Sequence, residues 1–354
     1  MEKKVRVAFL CGGRSAEHEV SLQSAKNIVS ATDGARYEKT LIGITKDGRW
    51  LWRGGERHNE ADFRGFNGFL LNEDDPKTIC LDEKNLVPFD CGQLKQRFDV
   101  VFPVLHGPFG EDGTVQGFLA MNGVPFVGSG VLGSALGMDK ETAKKLLRAE
   151  GVPIADFVTV RKDTRIPAFS AIAAKLGLPL FVKPANMGSS VGVHKVHRED
   201  EWFEAVNDAF LYDAKVIVEE CIDGREVECA VLGNGAEAKA SCVGEIIASH
   251  EFYSYDAKYI DEDGARIEIP AKLPDVVTEK IRETAVNVFL ILSCADLSRV
   301  DFFVKNDGGI IVNEINTMPG FTKISMYPKL WEHSGISYET LVDRLIRYGL
   351  GRRS

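Results

Sequence analysis

No stretch of this chain approaches the ~18 apolar residues of a membrane-spanning helix, so no membrane partner is expected. A basic surplus is missing too: 43 Lys and Arg against 52 Asp and Glu leave a formal charge of -9. Proteins that bind phosphate backbones in general present a clustered basic face. Here the basic residues are scattered, which argues against nucleic acid and makes any phosphate site local. No Cys-x-x-Cys pair occurs among the seven cysteines, Cys11, Cys80, Cys91, Cys221, Cys229, Cys242 and Cys294. An odd count of isolated cysteines, several inside apolar runs, reads as buried thiols of a reducing compartment. The opening Met1-Glu2-Lys3-Lys4-Val5 passes straight into a short strand and lacks the apolar stretch of a secretory signal, so the cytoplasm is expected.

Two nucleotide signatures are also absent. The Walker pattern G-x-x-x-x-G-K-[ST] does not occur, and the first strand-turn-helix unit does not read G-x-G-x-x-G. A nicotinamide-dependent oxidoreductase therefore lacks its fingerprint.

At 354 residues the chain exceeds one typical core of roughly 100 to 200 residues, so two or three domains are expected. With 44% hydrophobic and 27% charged residues it has the composition of an ordinary globular protein. Residues 5–11 form an apolar strand ended by Gly12-Gly13, and 19–30 follow helical periodicity. Strand-like runs recur at 39–44, 100–105 and 124–127, with a helix at 114–121. This alternation predicts a largely parallel, doubly wound sheet. Residues 46–97 interrupt it with charged, Gly- and Asn-rich sequence. They read as an elaboration containing at most a short hairpin and carrying no catalysis. The expected units are 1–128, with that insertion, then 129–218 and 219–354. The second holds a helix at 139–150 and a strand at 180–184; the third opens around 216–220 and ends in a helix at 338–348.

Five segments carry chemistry. In Lys183-Pro184-Ala185-Asn186-Met187-Gly188-Ser189-Ser190-Val191-Gly192-Val193 a lysine ends an apolar strand before a Gly/Ser loop and another strand. Glycines admit close backbone approach to phosphate oxygens, serines add donors and the lysine adds charge; a plain flexible hairpin is the alternative. Strand alternation puts Arg299, Asp301 and Phe303 on one face, and Glu314 and Asn316 on one face of the next strand. Paired through a turn at 306–309, Asp301, Glu314 and Asn316 form a hard-oxygen set suited to Mg²⁺, unless they are merely exposed polar residues. Thr317-Met318-Pro319-Gly320-Phe321-Thr322 follows, a turn whose N–H groups could hold an oxyanion. In the first unit, Glu17 stands where an anion would be repelled, which suits an ammonium ligand. A helix-capping role for Ser15 and the glutamates is the alternative. His106 ends the strand at 100–105, where ligands of doubly wound sheets bind, although a lone histidine is more often structural.

Together these segments resemble the D-alanine:D-alanine ligase family, in its longer form with an insertion in the first domain, over essentially the whole chain. The resemblance rests on Gly12-Gly13-x-Ser15-x-Glu17-x-Glu19-Val20-Ser21, His106-Gly107-x-x-Gly110-Glu111-Asp112-Gly113, Met138-Asp139-Lys140, Lys183-Pro184 with Gly188-Ser189-Ser190-Val191-Gly192, Tyr255-Asp256-Ala257-Lys258-Tyr259, Arg299-Val300-Asp301 and Asn313-Glu314-Ile315-Asn316-Thr317-Met318-Pro319-Gly320. It implies an α/β chain of ATP-grasp fold, with a doubly wound N-terminal domain and two α+β domains clasping ATP. Lys140 and Lys183 would hold the phosphates with Ser189, Ser190 and Lys258. Glu219, Glu220 and Ile222 would line the adenine pocket between Phe181 and Phe303, Glu226 would take the ribose, and Asn313 would join the nucleotide contacts. Asp301, Glu314 and Asn316 match ligands of two Mg²⁺ or Mn²⁺ ions.

For the amino acids, the resemblance makes Glu17 the ammonium partner of the first D-alanine with His106 nearby. Arg299 and the Gly320 N–H would be the oxyanion donors, and Ser325 with Met326 the second carboxylate site. Lys258 and Tyr259 would lie on a closing loop, Tyr259 joining Glu17 and Ser189. The implied reaction is ATP-driven synthesis of D-alanyl-D-alanine through a D-alanyl phosphate, for bacterial peptidoglycan, in a cytoplasmic homodimer. A non-enzymatic amino-acid-binding module would leave the lysines and the carboxylate trio unexplained. Within the family, D-alanyl-D-lactate or D-alanyl-D-serine synthesis is the rival, and Tyr259 favours the dipeptide.

Overall fold

The computed structural model describes residues 3–52, 69–71, 79–81, 87–248 and 265–352. Strand β1 (Val5–Gly12) pairs in parallel with β2 (Tyr37–Ile44) on one side and β7 (Val100–Pro103) on the other. Val7 to Cys11 are entirely buried, as a central parallel strand covered on both faces requires. β3 (Trp50–Trp52) and β6 (Val87–Pro88) extend this sheet antiparallel, and β4 (Phe69–Leu71) pairs with β5 (Ile79–Leu81) in the short hairpin expected of the insertion. Phe9 and Phe102 face α1 (His18–Ala31), which buries Leu22, Ala25, Ile28 and Val29. On the opposite face Ala8, Leu10 and Val101 meet Leu94 of α2 (Leu94–Arg97) and Val115 and Leu119 of α3 (Thr114–Met121). The strand expected at 124–127 is instead one parallel bridge between Val101 and Phe126. Pro125 supplies no N–H to a ladder, and Gly128, at φ +101°, turns the chain away.

Two helices follow, α4 (Val131–Met138) and α5 (Lys140–Ala149), with Asp139 between them. Its carboxylate accepts the Thr142 N–H at 2.9 Å and so caps α5. A four-stranded antiparallel sheet comes next, built from β8 (Phe157–Arg161), β9 (Leu180–Pro184), β10 (His194–Val196) and β11 (Lys215–Glu220) in the order β10-β9-β11-β8. Helices α6 (Phe169–Leu176) and α7 (Glu199–Tyr212) close its core around fully buried Trp202.

The third sheet is also antiparallel: β12 (Arg225–Gly233), β13 (Lys239–Ala248), β14 (Ala265–Glu268), β15 (Asp296–Val304) and β16 (Ile310–Asn316), ordered β14-β13-β12-β15-β16. One face buries Ile281, Ala285, Val288 and Phe289 of α8 (Asp275–Ile291), together with Ala143 and Leu147 of α5. Beyond the sheet lie α9 (Met326–His333) and α10 (Tyr338–Gly351).

Helix α10 returns to the first sheet. Leu341, Val342, Leu345 and Ile346 share one core with Phe9, Leu22, Val100 and Phe102, and also with Leu232, Leu297 and Tyr327 of the third unit. Sheets far apart in sequence are thereby fastened through one apolar mass. Leu345→Ala should then cost about 2–5 kcal/mol, as for other buried leucines, and lower the urea midpoint of the main transition. A loss below ~1 kcal/mol would show that α10 adds little to that core.

Candidate active site

A cavity of about 570 Å³ opens where the three units meet, lined among others by Glu17, Glu111, Lys140, Ser189, Arg299, Glu314 and Gly320. Glu17 precedes α1, but its side chain makes no capping bond to the helix. It reaches the Gly/Ser loop instead, where the Ser189 hydroxyl donates to its carboxylate. Its own N–H donates to Ser15 Oγ at 3.2 Å. Two glycines make room: a Cβ at Gly107 would lie 2.6 Å from Glu17 Oε2, and one at Gly188 2.8 Å from the same atom. Ser189 and Ser190 hold φ values of +50° and +59°, a conformation costly for non-glycine residues that persists where surroundings over-determine it.

The turn after β16 is held from the first domain. Glu111 Oε2 accepts the Met318 N–H at 3.0 Å, and His106 Nδ1 lies 2.9 Å from the Met318 carbonyl. A carbonyl only accepts, so Nδ1 carries the proton and Nε2 accepts from the Ser24 hydroxyl at 3.2 Å. Ser24 Oγ in turn accepts the Phe321 N–H at 3.1 Å, and Asn27 Nδ2 donates to the Phe321 carbonyl at 3.0 Å. Thr322 N–H donates to Ser325 Oγ at 3.0 Å. Among the described residues, the Gly320 N–H has no acceptor. His106 thus meets the turn directly through Nδ1 and through Ser24 of α1 by Nε2. Burial depresses its pKa, with Glu17 opposing. Burial first, and then the charge of Glu17, pushes the Glu111 carboxyl up to about 8.

Across the third sheet three carboxylates stand in one row, because Glu228 of β12 pairs with Asp301 of β15 and Asp301 pairs with Glu314 of β16. Just past Asp301 the register slips, so Asp301 faces Glu314 while Phe302 faces Val312. Asn313 is the extra residue of a β-bulge, and it and Glu314 are consecutively half-buried where strict alternation would bury one. Arg299 grips Asp301 with two bonds of 2.7 Å and lies 2.9 Å from Glu228 Oε2. Burial would depress its charge, but Asp301 and Glu228 outweigh burial and raise its pKa well above the ordinary value. Asn316 Nδ2 donates to Asp301 at 3.0 Å, and Lys140 Nζ lies 3.6 Å from Glu314. No cluster of three His, Cys, Asp or Glu arranged for a metal occurs among the described residues. A set of two carboxylates and one amide oxygen is a different combination.

Lys140 donates to the Met187 carbonyl at 2.6 Å, at the base of the Gly/Ser loop. Lys183 stands 2.6 Å from Glu219 Oε2 and donates to Asn313 Oδ1 at 3.5 Å. Glu219 pairs across strands with Phe181, and Glu226 with Phe303; both aromatic rings are half-buried. Glu220 accepts the Asp156 N–H at 2.7 Å, and Ile222 lies half-buried just beyond β11. Ser325 precedes α9 without capping it, and Met326 is buried against Gly244. Lys258 and Tyr259 lie outside the described residues. The site residues not foreseen were Ser24, Asn27, Glu111, Lys144 and Glu228. Glu111 sat inside a recognised motif; the others carry no local sequence signal.

Residues 6–129 match the family described as D-ala D-ala ligase N-terminus, and residues 146–347 that described as D-ala D-ala ligase C-terminus. The chain is 51% identical over 361 residues to the D-alanine–D-alanine ligase A of Chromobacterium violaceum, covering 98% of this chain and 95% of that protein. It superposes on the D-alanine-D-alanine ligase of Coxiella burnetii with a TM-score of 0.80 at 38% identity, covering 99% and 95% of the two chains. With the VanG D-Ala:D-Ser ligase of Enterococcus faecalis the TM-score is 0.83 at 37% identity, covering 98% and 100%.

The raised carboxyl of Glu111 has a consequence for stability. An unfolded glutamate titrates near ~4.3, so between there and about 8 the folded chain holds more protons than the unfolded one. Stability from this group is full at low pH and is lost as pH rises through that window. Glu111→Gln should therefore lose less stability than the parent between about pH 5 and pH 8 in urea titrations. Parallel pH slopes for the two proteins would refute the shift.

Proposed function

This chain belongs to the D-alanine–D-alanine ligase family, and on that premise we propose that it uses ATP to join two D-alanine molecules, with the residues above in the following roles. A free carboxylate is a poor electrophile because oxide is a prohibitive leaving group. Phosphorylation by ATP makes the leaving group phosphate. The observation that carries this reading is the Glu17–Ser189 contact. The ammonium and carboxylate of an α-amino acid are separated by one carbon, so a group that binds the ammonium must stand beside the phosphate loop if the carboxylate is to be phosphorylated.

The first D-alanine places its ammonium on Glu17, in the recess that Gly107 and Gly188 leave open. Lys140 and Lys183 neutralise the phosphates while the substrate carboxylate attacks the γ-phosphorus, giving D-alanyl phosphate and ADP. Asp301, Glu314 and Asn316 present hard oxygen donors on one sheet face and would hold Mg²⁺ or Mn²⁺, which supplies charge neutralisation at the transferring phosphoryl group. The second D-alanine sets its carboxylate at the uncapped start of α9, beside Ser325 and Met326, where helix N–H groups favour an anion. Its amine, having given up its proton to solvent, attacks the acyl carbon, and phosphate leaves as the tetrahedral intermediate collapses to the peptide bond. The oxyanion that forms is met by the free Gly320 N–H and by Arg299, whose guanidinium is already fixed by Asp301 and Glu228. To Lys258 and Tyr259, which lie outside the described residues, the family resemblance gives the role of shielding the acyl phosphate from water.

The likeness to a D-Ala:D-Ser ligase supports one second reading, in which D-serine is the nucleophile. The dipeptide would supply bacterial peptidoglycan precursors in the cytoplasm, with the protein acting as a homodimer as its family resemblance implies. Among the described residues no helix is long and apolar enough to cross a membrane. The deciding experiment supplies ATP and Mg²⁺ with D-alanine, L-alanine or a D-alanine/D-serine mixture and identifies the products by mass. D-alanyl-D-alanine as the main product in the mixture is expected; predominant D-alanyl-D-serine overturns the assignment, and ADP release without a dipeptide overturns the reaction.

Glu17→Gln should raise the KM for the first D-alanine far more than that for ATP, by the ~1.5–3 kcal/mol of a charged hydrogen bond. Equal rises in both constants would remove Glu17 from the ammonium site. Glu314→Gln should keep the parent's circular dichroism while nearly abolishing ADP release. Retention of more than about a tenth of the rate, under ~1.4 kcal/mol, would exclude Glu314 from the metal site.

A further inference from the structure

Lys144 is a buried cation to which the mechanism above gives no role. It lies one turn after Lys140 on α5, therefore on the same helix face, and its side chain is only 2% exposed. Its Nζ stands 2.9 Å from Glu219 Oε1, while the other oxygen, Oε2, stands 2.6 Å from Lys183 Nζ. One carboxylate is thus gripped at both oxygens by two ammonium groups. A second buried ammonium therefore stands on a carboxylate that Lys183 already pairs, more positive charge than the carboxylate alone requires.

The two lysines differ in what else they reach. Lys183 also contacts Asn313 Oδ1 across the cleft at 3.5 Å. Among the described residues, Lys144 has only Glu219 as counter-ion within ion-pair distance. Burial lowers the Lys144 pKa, with Glu219 opposing, whereas for Lys183 the charges of Glu219 and Glu314 outweigh burial and raise it. The trio carries one net positive charge in a site assigned to a polyanion.

We propose that Lys144 is a positioning residue of the nucleotide site: the fixed counter-charge that keeps Glu219 ionised and in place while Lys183 transfers its charge to the nucleotide phosphates. This rests on the nucleotide roles given above to Lys183 and Glu219. Without Lys144, the buried carboxylate would have Lys183 as its only counter-ion. Nucleotide binding would then have to break that pair and strand a buried charge, which is the costly way to disrupt a buried ion pair.

The test is a double-mutant cycle read by calorimetric binding of the non-hydrolysable analogue adenylyl imidodiphosphate with Mg²⁺, with D-alanine kinetics alongside. Lys144→Met should weaken analogue binding at least about tenfold, about 1.4 kcal/mol, and leave the KM for the first D-alanine near the parent's. In a Glu219→Gln background, where no carboxylate needs a counter-charge, Lys144→Met should leave analogue binding unchanged. That arm serves even if the single variant fails to fold, since the double variant removes both members of the pair. Lys144→Met binding the analogue like the parent, or weakening it equally in both backgrounds, overturns the proposal. Lys183→Ala is the control for the underlying reading: if it weakens the analogue and Lys144→Met does not, only the positioning role fails. If neither variant does, the nucleotide assignment fails with it.

Discussion

Met318 gives its N–H to Glu111 and its C=O to His106, and both of those side chains come from the loop after β7, more than 200 residues earlier in the chain. These bonds fix the two peptide planes on either side of Met318, Ser24 and Asn27 hold the N–H and the C=O of Phe321, and among the described residues the Gly320 N–H has no acceptor. A donor aimed at developing charge is effective only if it need not reorganise at the moment of reaction. The turn itself contains a proline and a glycine and has little of its own to hold it. Its rigidity is borrowed from the doubly wound domain, and that domain is in turn clamped to the third sheet by the apolar mass beneath α10.

Around this fixed turn the charged groups occur in compensated sets. Glu228, Asp301 and Glu314 form a row of like charges that would repel in isolation, and Arg299 and Lys140 sit among them. Glu219 is divided between Lys144 and Lys183; burial alone would raise its pKa, and the two lysines lower it instead. Removing one partner from such a set leaves a buried charge unpaired and is strongly destabilising. Each set is also a site where a polyanionic or cationic ligand can exchange places with a protein partner without creating an uncompensated charge.

The parallel core of the first domain was legible because its residues obey local rules. The apolar run of β1, the glycines after it and the periodicity of α1 need no distant partner to be recognised. Alternation by itself put Arg299 with Asp301 and Glu314 with Asn316, but an unbroken register would set Asp301 opposite Asn313, and it is the bulge that brings Glu314 beside Asp301. The strand expected at 124–127 failed because a proline within a four-residue run outweighs its apolar character. Glu228 could not be singled out, since a glutamate in an apolar run acquires meaning only when a strand from 70 residues later lies beside it.

For Glu17 the sequence left two roles open, helix cap or ligand partner, and in the fold its side chain makes no capping bond and meets the Ser189 hydroxyl instead. The sequence by itself determined the strand-turn-helix opening of the first domain, the Gly/Ser loop after Lys183, the alternation that sets Arg299 with Asp301 and Glu314 with Asn316, and the family these motifs resemble, because each depends on neighbours a few residues away. Only the tertiary structure decided that His106 joins the turn to Ser24 of α1 through its two ring nitrogens, that Asn313 bulges out beside Glu314, and that Lys144 stands against Glu219. Those facts depend on which strands adjoin and in what register, and a one-residue change of register turns a side chain to the opposite face.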